Sequence, residues 1–296
     1  MSHDQNFKNL IVDYPHEAVQ FFAAAEAAHV DKRVRIIPIR EEQLKERLGD
    51  RFRELDVPLL VEWPDGRCEA VLLVLEEESD TSKFSIHRLA HYCLDLSELF
   101  KTDRVVPVGI FLRKGERAEE LILGGDHHRY LAFRYLACAL PDLPWHDWRD
   151  SDNIVARLNL PNMRYDPSER VAVYAMALRG LMQLEPDPDK RLKYADFVDI
   201  YANLNDSERE QYEREYPEET KTMQSFSTRM REEGERIGER RGIQLGEANM
   251  LLFQLEQKFG SIPDAVRHRI QIADSDTLLR WSGRVLTEDS IDEVLR

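Results

Sequence analysis

The sequence predicts an α/β domain built on a mixed sheet, followed by all-α segments. Three observations lead there. Two apolar runs, Val57-Pro58-Leu59-Leu60-Val61 and Val71-Leu72-Leu73-Val74-Leu75, flank Pro64-Asp65-Gly66. A Pro-Asp-Gly turn between such runs reads as a β-hairpin, expected over 56–63 and 69–76. A helical pattern over 81–100, with Ile86, Leu89, Ala90, Cys93 and Phe100 on one side, leads into another apolar run at 105–112. Strand, helix and strand at that spacing predict a right-handed crossover with parallel pairing. Beyond residue 165 the apolar pattern is helical.

Each element has its own signal. Ser2 and Gln5 have capping-box spacing, and Phe7, Leu10, Ile11 and Tyr14 then recur with helical period. Asp4 falls in the first turn, where the helix dipole favours an acid. Pro15 is expected to start a second helix with Val19 and Phe22 inward. A short strand is expected at 34–39, and a helix at 41–52 with Leu44, Leu48 and Phe52 on one face. Pro107 requires its strand to lie where a missing amide is tolerated. Residues 121–123 read as a further strand before a turn at Gly124-Gly125-Asp126-His127-His128. Residues 141–165 read as a loop anchored by Trp145 and Trp148, and a boundary is placed near residue 140.

Asp166-Pro167 opens a helix to about residue 184. Asp187-Pro188 opens another with Phe197, Ile200 and Tyr201 inward, and Asp206 or Ser207 caps a third. Gly234, Gly238, Gly242 and Gly246 then recur every four residues among Glu and Arg. Each costs a helix about 1 kcal/mol relative to alanine. The run reads either as a face for close helix–helix approach in a homo-oligomer or as a weakly helical linker. Met250, Leu251, Leu255 and Phe259 form an apolar stripe ended by Gly260, and Pro263, Ser275 and Thr287 mark further short helices. The expected organisation is therefore an α/β domain over 1–140, a helical segment over 141–232, the glycine-rich stretch over 233–246 and a small helical domain over 247–296.

Composition narrows the class. The chain of 296 residues carries a net charge of −15 and is acidic on both sides of residue 140. A strong non-specific grip on nucleic acid is not expected, although a metal and a local groove can carry phosphate contacts in an acidic protein. No apolar run reaches the length of a membrane span, and Met1-Ser2-His3-Asp4-Gln5 lacks the apolar stretch of a signal peptide. Cys68, Cys93 and Cys138 match neither a disulfide framework nor a zinc cluster. A reducing cytoplasm is the expected location.

The chemistry-bearing residues gather at one end of the hairpin. Asp56 enters the first strand, and Glu76-Glu77-Glu78 leave the second. Those two ends are neighbours in a hairpin, and strand alternation sets Glu76 and Glu78 on one face. Crowded carboxylates repel each other, and a divalent cation relieves that repulsion. Metal binding is weighed here against a solvated acidic strand end. His87 and His91 stand four apart on the following helix, but Arg88 occupies the position of a zincin glutamate, so surface or packing histidines are the preferred reading. Arg88 and Tyr92 are expected either to contact substrate or to pair with the acids.

These residues, taken in order, resemble a known family. His3-Asp4-Gln5-Asn6-Phe7-Lys8, Leu55-Asp56-Val57, Leu73-Val74-Leu75-Glu76-Glu77-Glu78-Ser79 and His87-Arg88-Leu89-Ala90-His91-Tyr92 look like the motifs of the recombination-promoting nuclease (Rpn), or transposase-like, family. That family belongs to the PD-(D/E)XK nuclease superfamily. The resemblance covers about residues 1–140, and the tail from about residue 245 resembles a helical domain of unknown function. It implies a restriction-endonuclease-like core and Mg²⁺ (or Mn²⁺) bound by Asp56 and Glu76. It further implies Arg88 facing the phosphate and metal-dependent hydrolysis of DNA linked to recombination or mobile elements. Position 78 departs from the pattern: the superfamily has Lys and the family usually Gln, where this chain has Glu78. A carboxylate does not donate unless protonated, so Glu78 would be a further ligand, a base, or the mark of a site that has lost catalysis. The competing expectation is a nuclease-fold scaffold acting in oligomerisation or partner binding.

Overall fold

In the computed structural model the described residues are 3–27, 30, 33–39, 57–66, 68–76 and 84–296. The helix expected at 41–52 lies outside them. The chain divides into two compact units, residues 1–220 and 221–296. The boundary expected near residue 140 falls inside the first unit.

The first unit opens with α1 (His3–Asp13) and α2 (Pro15–Phe22), the latter with Pro15 in its first turn. Strands β1 (Arg35–Pro38), β2 (Val57–Glu62) and β3 (Cys68–Glu76) form an antiparallel meander. At the β2–β3 turn the Gly66 amide donates to the Trp63 carbonyl at 3.0 Å. Gly66 holds φ +86°, a left-handed conformation that glycine takes without steric cost. Helix α3 (Ile86–Phe100) then crosses over, capped by Ser85, whose hydroxyl accepts from the Arg88 amide. Its first residue is Ile86, later than the start expected at residue 81. Strand β4 (Val105–Phe111) pairs parallel to β3, with Glu76 opposite Phe111. The strand–helix–strand pattern thus gives the parallel pairing that the sequence predicts.

Pro107 shows why a proline fits in a central strand. The Ala70 amide donates to the Arg104 carbonyl, and successive strand peptides face opposite sides. The missing Pro107 amide therefore faces away from β3. On that far side the neighbouring strand, described next, begins its pairing only at Val108.

Strands β5 (Glu120–Gly124) and β6 (Arg129–Arg134) form a separate antiparallel ribbon. Its turn closes where the Gly125 amide donates to the His128 carbonyl. Strand β7 (Leu136–Ala139) completes a five-stranded mixed sheet in the order β1-β2-β3-β4-β7. Residues 141–165 are more ordered than a loop, with 3₁₀ turns and a short helix α4 (Ile154–Leu158) capped by Asn153. The sequence hides this because prolines and single helical turns carry no long period. Helix α5 (Arg170–Leu184) follows an Asp166–Glu169 capping box, and α6 (Pro188–Ala202) starts at the Asp187 cap. Ile200, expected inward, is exposed, because Tyr194, Phe197 and Val198 occupy the buried face. Helix α7 (Asp206–Glu215) is capped by Asn205, one residue before the expected cap.

Among the described residues, two packed clusters hold this unit. Helix α3 lays Leu89, Cys93 and Leu96 on Ala70 and Leu72 of β3. Helix α1 packs on α6 through an aromatic seam: Phe7 stands 5.3 Å from both Phe197 and Tyr201, and Tyr14 lies 5.2 Å from Tyr194. Trp148 packs edge-on to Phe21 at 4.8 Å, and Trp145 donates to Glu169. Both tryptophans are committed to packing.

Helix α8 (Pro217–Phe259) begins before the division at residue 220, continues through the second unit and runs into Gly260 at φ +82°. Helices α9 (Asp264–Gln271), α10 (Ser275–Val285) and α11 (Ile291–Val294) follow. Leu251, Leu255, Ile270, Leu278, Trp281 and Val294 form their core. Met250, expected in the stripe, is exposed, and Ala248 and Leu252 take the buried positions instead. The last helix is capped by Ser290, not Thr287. Gly242 and Gly246 face open space and meet no close neighbour among the described residues. No helix among the described residues is long and apolar enough to cross a membrane.

Two polar anchors are testable. Glu69 is 4% exposed, and Arg104 donates to it from Nη2 at 2.6 Å and Nε at 3.0 Å. Removing one partner of such a pair leaves a buried charge unmatched. Arg104→Ala is expected to lower unfolding free energy by about 3 kcal/mol, read by urea denaturation. Asp13 accepts from Lys193 at 2.7 Å and Tyr194 at 2.6 Å. Burial pushes its carboxyl up, but these hydrogen bonds outweigh that and hold its pKa below the ordinary value. A carboxyl lowered in the folded state stabilises the fold above its unfolded pKa, and this is lost as pH falls through the folded value. Asp13→Asn should therefore cost about 1–2 kcal/mol at neutral pH. It should also flatten the decline of stability below about pH 4, measured by urea unfolding across pH.

Candidate active site

The sheet delivers the two strand ends expected to carry the acids to one place. Val57, the first residue of β2, stands opposite Leu73, three residues before Glu76, the last residue of β3. Asp56 and Glu78 lie outside the described residues, and Glu76 is placed by its backbone. Among the described residues no group of three or more His, Cys, Asp or Glu side chains is placed to hold a metal ion.

Helix α3 follows the acids in sequence and presents Arg88, one turn after its Ser85 cap, as an exposed side chain. Tyr92, expected to share a substrate-facing surface with Arg88, is 5% exposed and packs with Leu89, Cys93 and Leu96. Its ring belongs to the core between α3 and the sheet. His87 and His91 are both exposed on α3. Burial pushes the Cys93 and Cys138 thiols up to about 12, so neither is a thiolate at neutral pH.

A feature the sequence did not reveal lies where β4 ends. Phe111 pairs with Glu76, and the next residues, Leu112, Arg113 and Lys114, form one wall of a cavity of about 710 Å³. Strand spacing and chain reach put the Arg113 Cα within about 12 Å of the Glu76 Cα. The opposite walls come from residues 161–170 and from the end of α6 at 200–203. Four cations, Arg113, Lys114, Arg164 and Arg170, line the cavity, and no carboxylate does. On a chain of net charge −15 this is a strong local reversal.

The wall is fixed by backbone bonds. The Arg164 amide donates to the Leu143 carbonyl at 2.8 Å, and the Trp145 amide donates to the Arg164 carbonyl at 3.1 Å. The Arg164 side chain itself is exposed. Arg170 reaches Glu208 at 3.5 Å through Nη1, while its buried Nε has no hydrogen-bond partner among the described residues. Asp166 and Glu169, beside it, close a reciprocal cap. Hydrogen bonds to Ser168 hold the Asp166 carboxyl below its ordinary pKa. Periodicity could not find these cations, because they come from two segments about 50 residues apart that only the fold brings together. No protein-family model, no curated protein and no solved structure matches this chain.

Proposed function

We propose that this chain is a Mg²⁺-dependent DNA endonuclease of the recombination-promoting nuclease type, with a restriction-endonuclease-like core. The observation that carries the reading is the order of the sheet. An antiparallel meander, a helical crossover and a strand parallel to β3 bring the end of β3 beside a cationic cavity. Asp56 is bonded to the first residue of β2, and Glu76 is the last residue of β3.

The donor set suits a hard cation: Asp56, Glu76 and Glu78 offer only carboxylate oxygens, which Mg²⁺ and Mn²⁺ prefer. When bound, the metal would supply an activated water and a Lewis acid for the phosphodiester. The reading requires Asp56 and Glu76 to share one face of the sheet. Arg88, at the start of α3, would bind the phosphate and stabilise the charge that develops on it. Glu78 stands where a lysine would donate to the attacking water. Its carboxylate would either hold the cation or take a proton.

The test is nicking of supercoiled plasmid with Mg²⁺, Mn²⁺ or EDTA. Wild type should nick only with metal, and Asp56→Ala and Glu76→Ala should each lose at least about 100-fold in rate. Glu78→Gln should retain activity or gain it. Wild type and Glu78→Gln both inert with every metal, with no Mn²⁺ bound by calorimetry, would overturn the enzyme and leave the scaffold reading.

A further inference from the structure

We infer that the cationic cavity at the end of β4 holds a single-stranded phosphodiester segment flanking the bond to be cut. This names the substrate class for the nuclease reading and rests on it.

Charge is the first argument. Sequence-independent grip on nucleic acid comes from cations on phosphates, and this cavity collects Arg113, Lys114, Arg164 and Arg170 without an acid in its lining. Arg113, Lys114 and Arg164 make no ion pair with the described residues, so their charge is open to a ligand. The second argument is a fixed wall. The Arg164 amide donates to the Leu143 carbonyl at 2.8 Å and its carbonyl accepts from the Trp145 amide at 3.1 Å, so an exposed guanidinium is carried on a backbone already held in place. Little ordering of the wall is then needed when a phosphate binds.

Shape is the third argument. A cavity of about 710 Å³ lies in the range that encloses small ligands. A flexible single strand can enter such a concavity, whereas a duplex would rest across its mouth. Tyr165, half-buried in the wall, offers a ring on which a base can stack. Position is the fourth. Arg113 follows the strand residue opposite Glu76 by two positions, so a strand held at Arg113 lies near the end of β3, where Glu76 stands.

The test is anisotropy of labelled oligothymidylate and oligouridylate with the full chain in EDTA, where binding is separated from cleavage. Arg113→Glu and Arg164→Glu should each weaken binding by about tenfold. Arg164→Lys should bind like wild type. Arg129→Glu, on the exposed β6 ribbon, should change binding less than twofold and so controls for net charge. In Arg113→Gln/Arg164→Gln the slope of log affinity against log salt should fall by about 1.4, at about 0.7 for each phosphate no longer neutralised. The glutamine variant and a circular dichroism melt guard against misfolding. Oligothymidylate should bind at least as tightly as oligouridylate, and a clear preference for oligouridylate would overturn DNA as the substrate.

Pocket variants that bind like wild type, a control that weakens equally, or an unlabelled duplex that competes as well as a single strand would each overturn the inference. So would wild type that does not bind. Cleavage that persists with unaltered binding in the pocket variants would remove the cavity and keep the nuclease. Pocket-dependent binding with no cleavage under any metal would remove the nuclease alone.

Discussion

The seam between α1 and α6 is the constraint on which the first unit depends. It joins residues more than 180 positions apart, from Asp13 to Tyr194 and from Phe7 to Phe197 and Tyr201. Closing so long a loop is entropically unfavourable. The seam answers with several large aromatic rings and a carboxylate held by two donors, interactions that are individually strong when buried. Tyr201 serves both purposes, touching Phe7 and lining the cationic cavity. Helices α4 to α7 are therefore part of the same body as the sheet, and the cavity is built from both.

What was legible in the sequence follows period and punctuation. The hairpin could be read because two β-rich runs flank Pro64-Asp65-Gly66 and side-chain alternation needs few residues to show. Helices α5 and α6 could be read because Asp-Pro pairs combine a cap with a first-turn proline. Strand β7 escaped because four residues, Leu136–Ala139, are too short to carry a pattern, and only the sheet edge left by β4 makes them a strand. Met250 and Ile200 were misplaced for a related reason. A helical stripe leaves its edge positions undecided, and neighbouring helices settle them. The acids of the proposed site were legible because they cluster in sequence. The cations that line the cavity were not, because the fold alone assembles residues 113, 164 and 170.

Strand β3 shows how one element carries charge at both ends with opposite solutions. At its start Glu69 is buried and neutralised by Arg104, whose guanidinium also lies 5.9 Å from the Trp63 ring. That end is committed to structure. At its other end Glu76 stands opposite Phe111, after which the chain enters the cationic cavity. If the proposed nuclease holds, fixing the first end rigidly would suit a strand whose second end carries a reactive geometry, since a small displacement there is costly in rate.

The cysteines give the sheet an internal clock. Cys93 is sealed between α3 and β3, and burial keeps its thiol protonated at neutral pH. A thiol in that state neither alkylates nor exchanges disulfides until its surroundings part. The rate at which Cys93 is modified in otherwise native protein therefore reports the frequency with which α3 lifts from the sheet. That is a local opening free energy, distinct from global unfolding, and it can be read without altering a single residue.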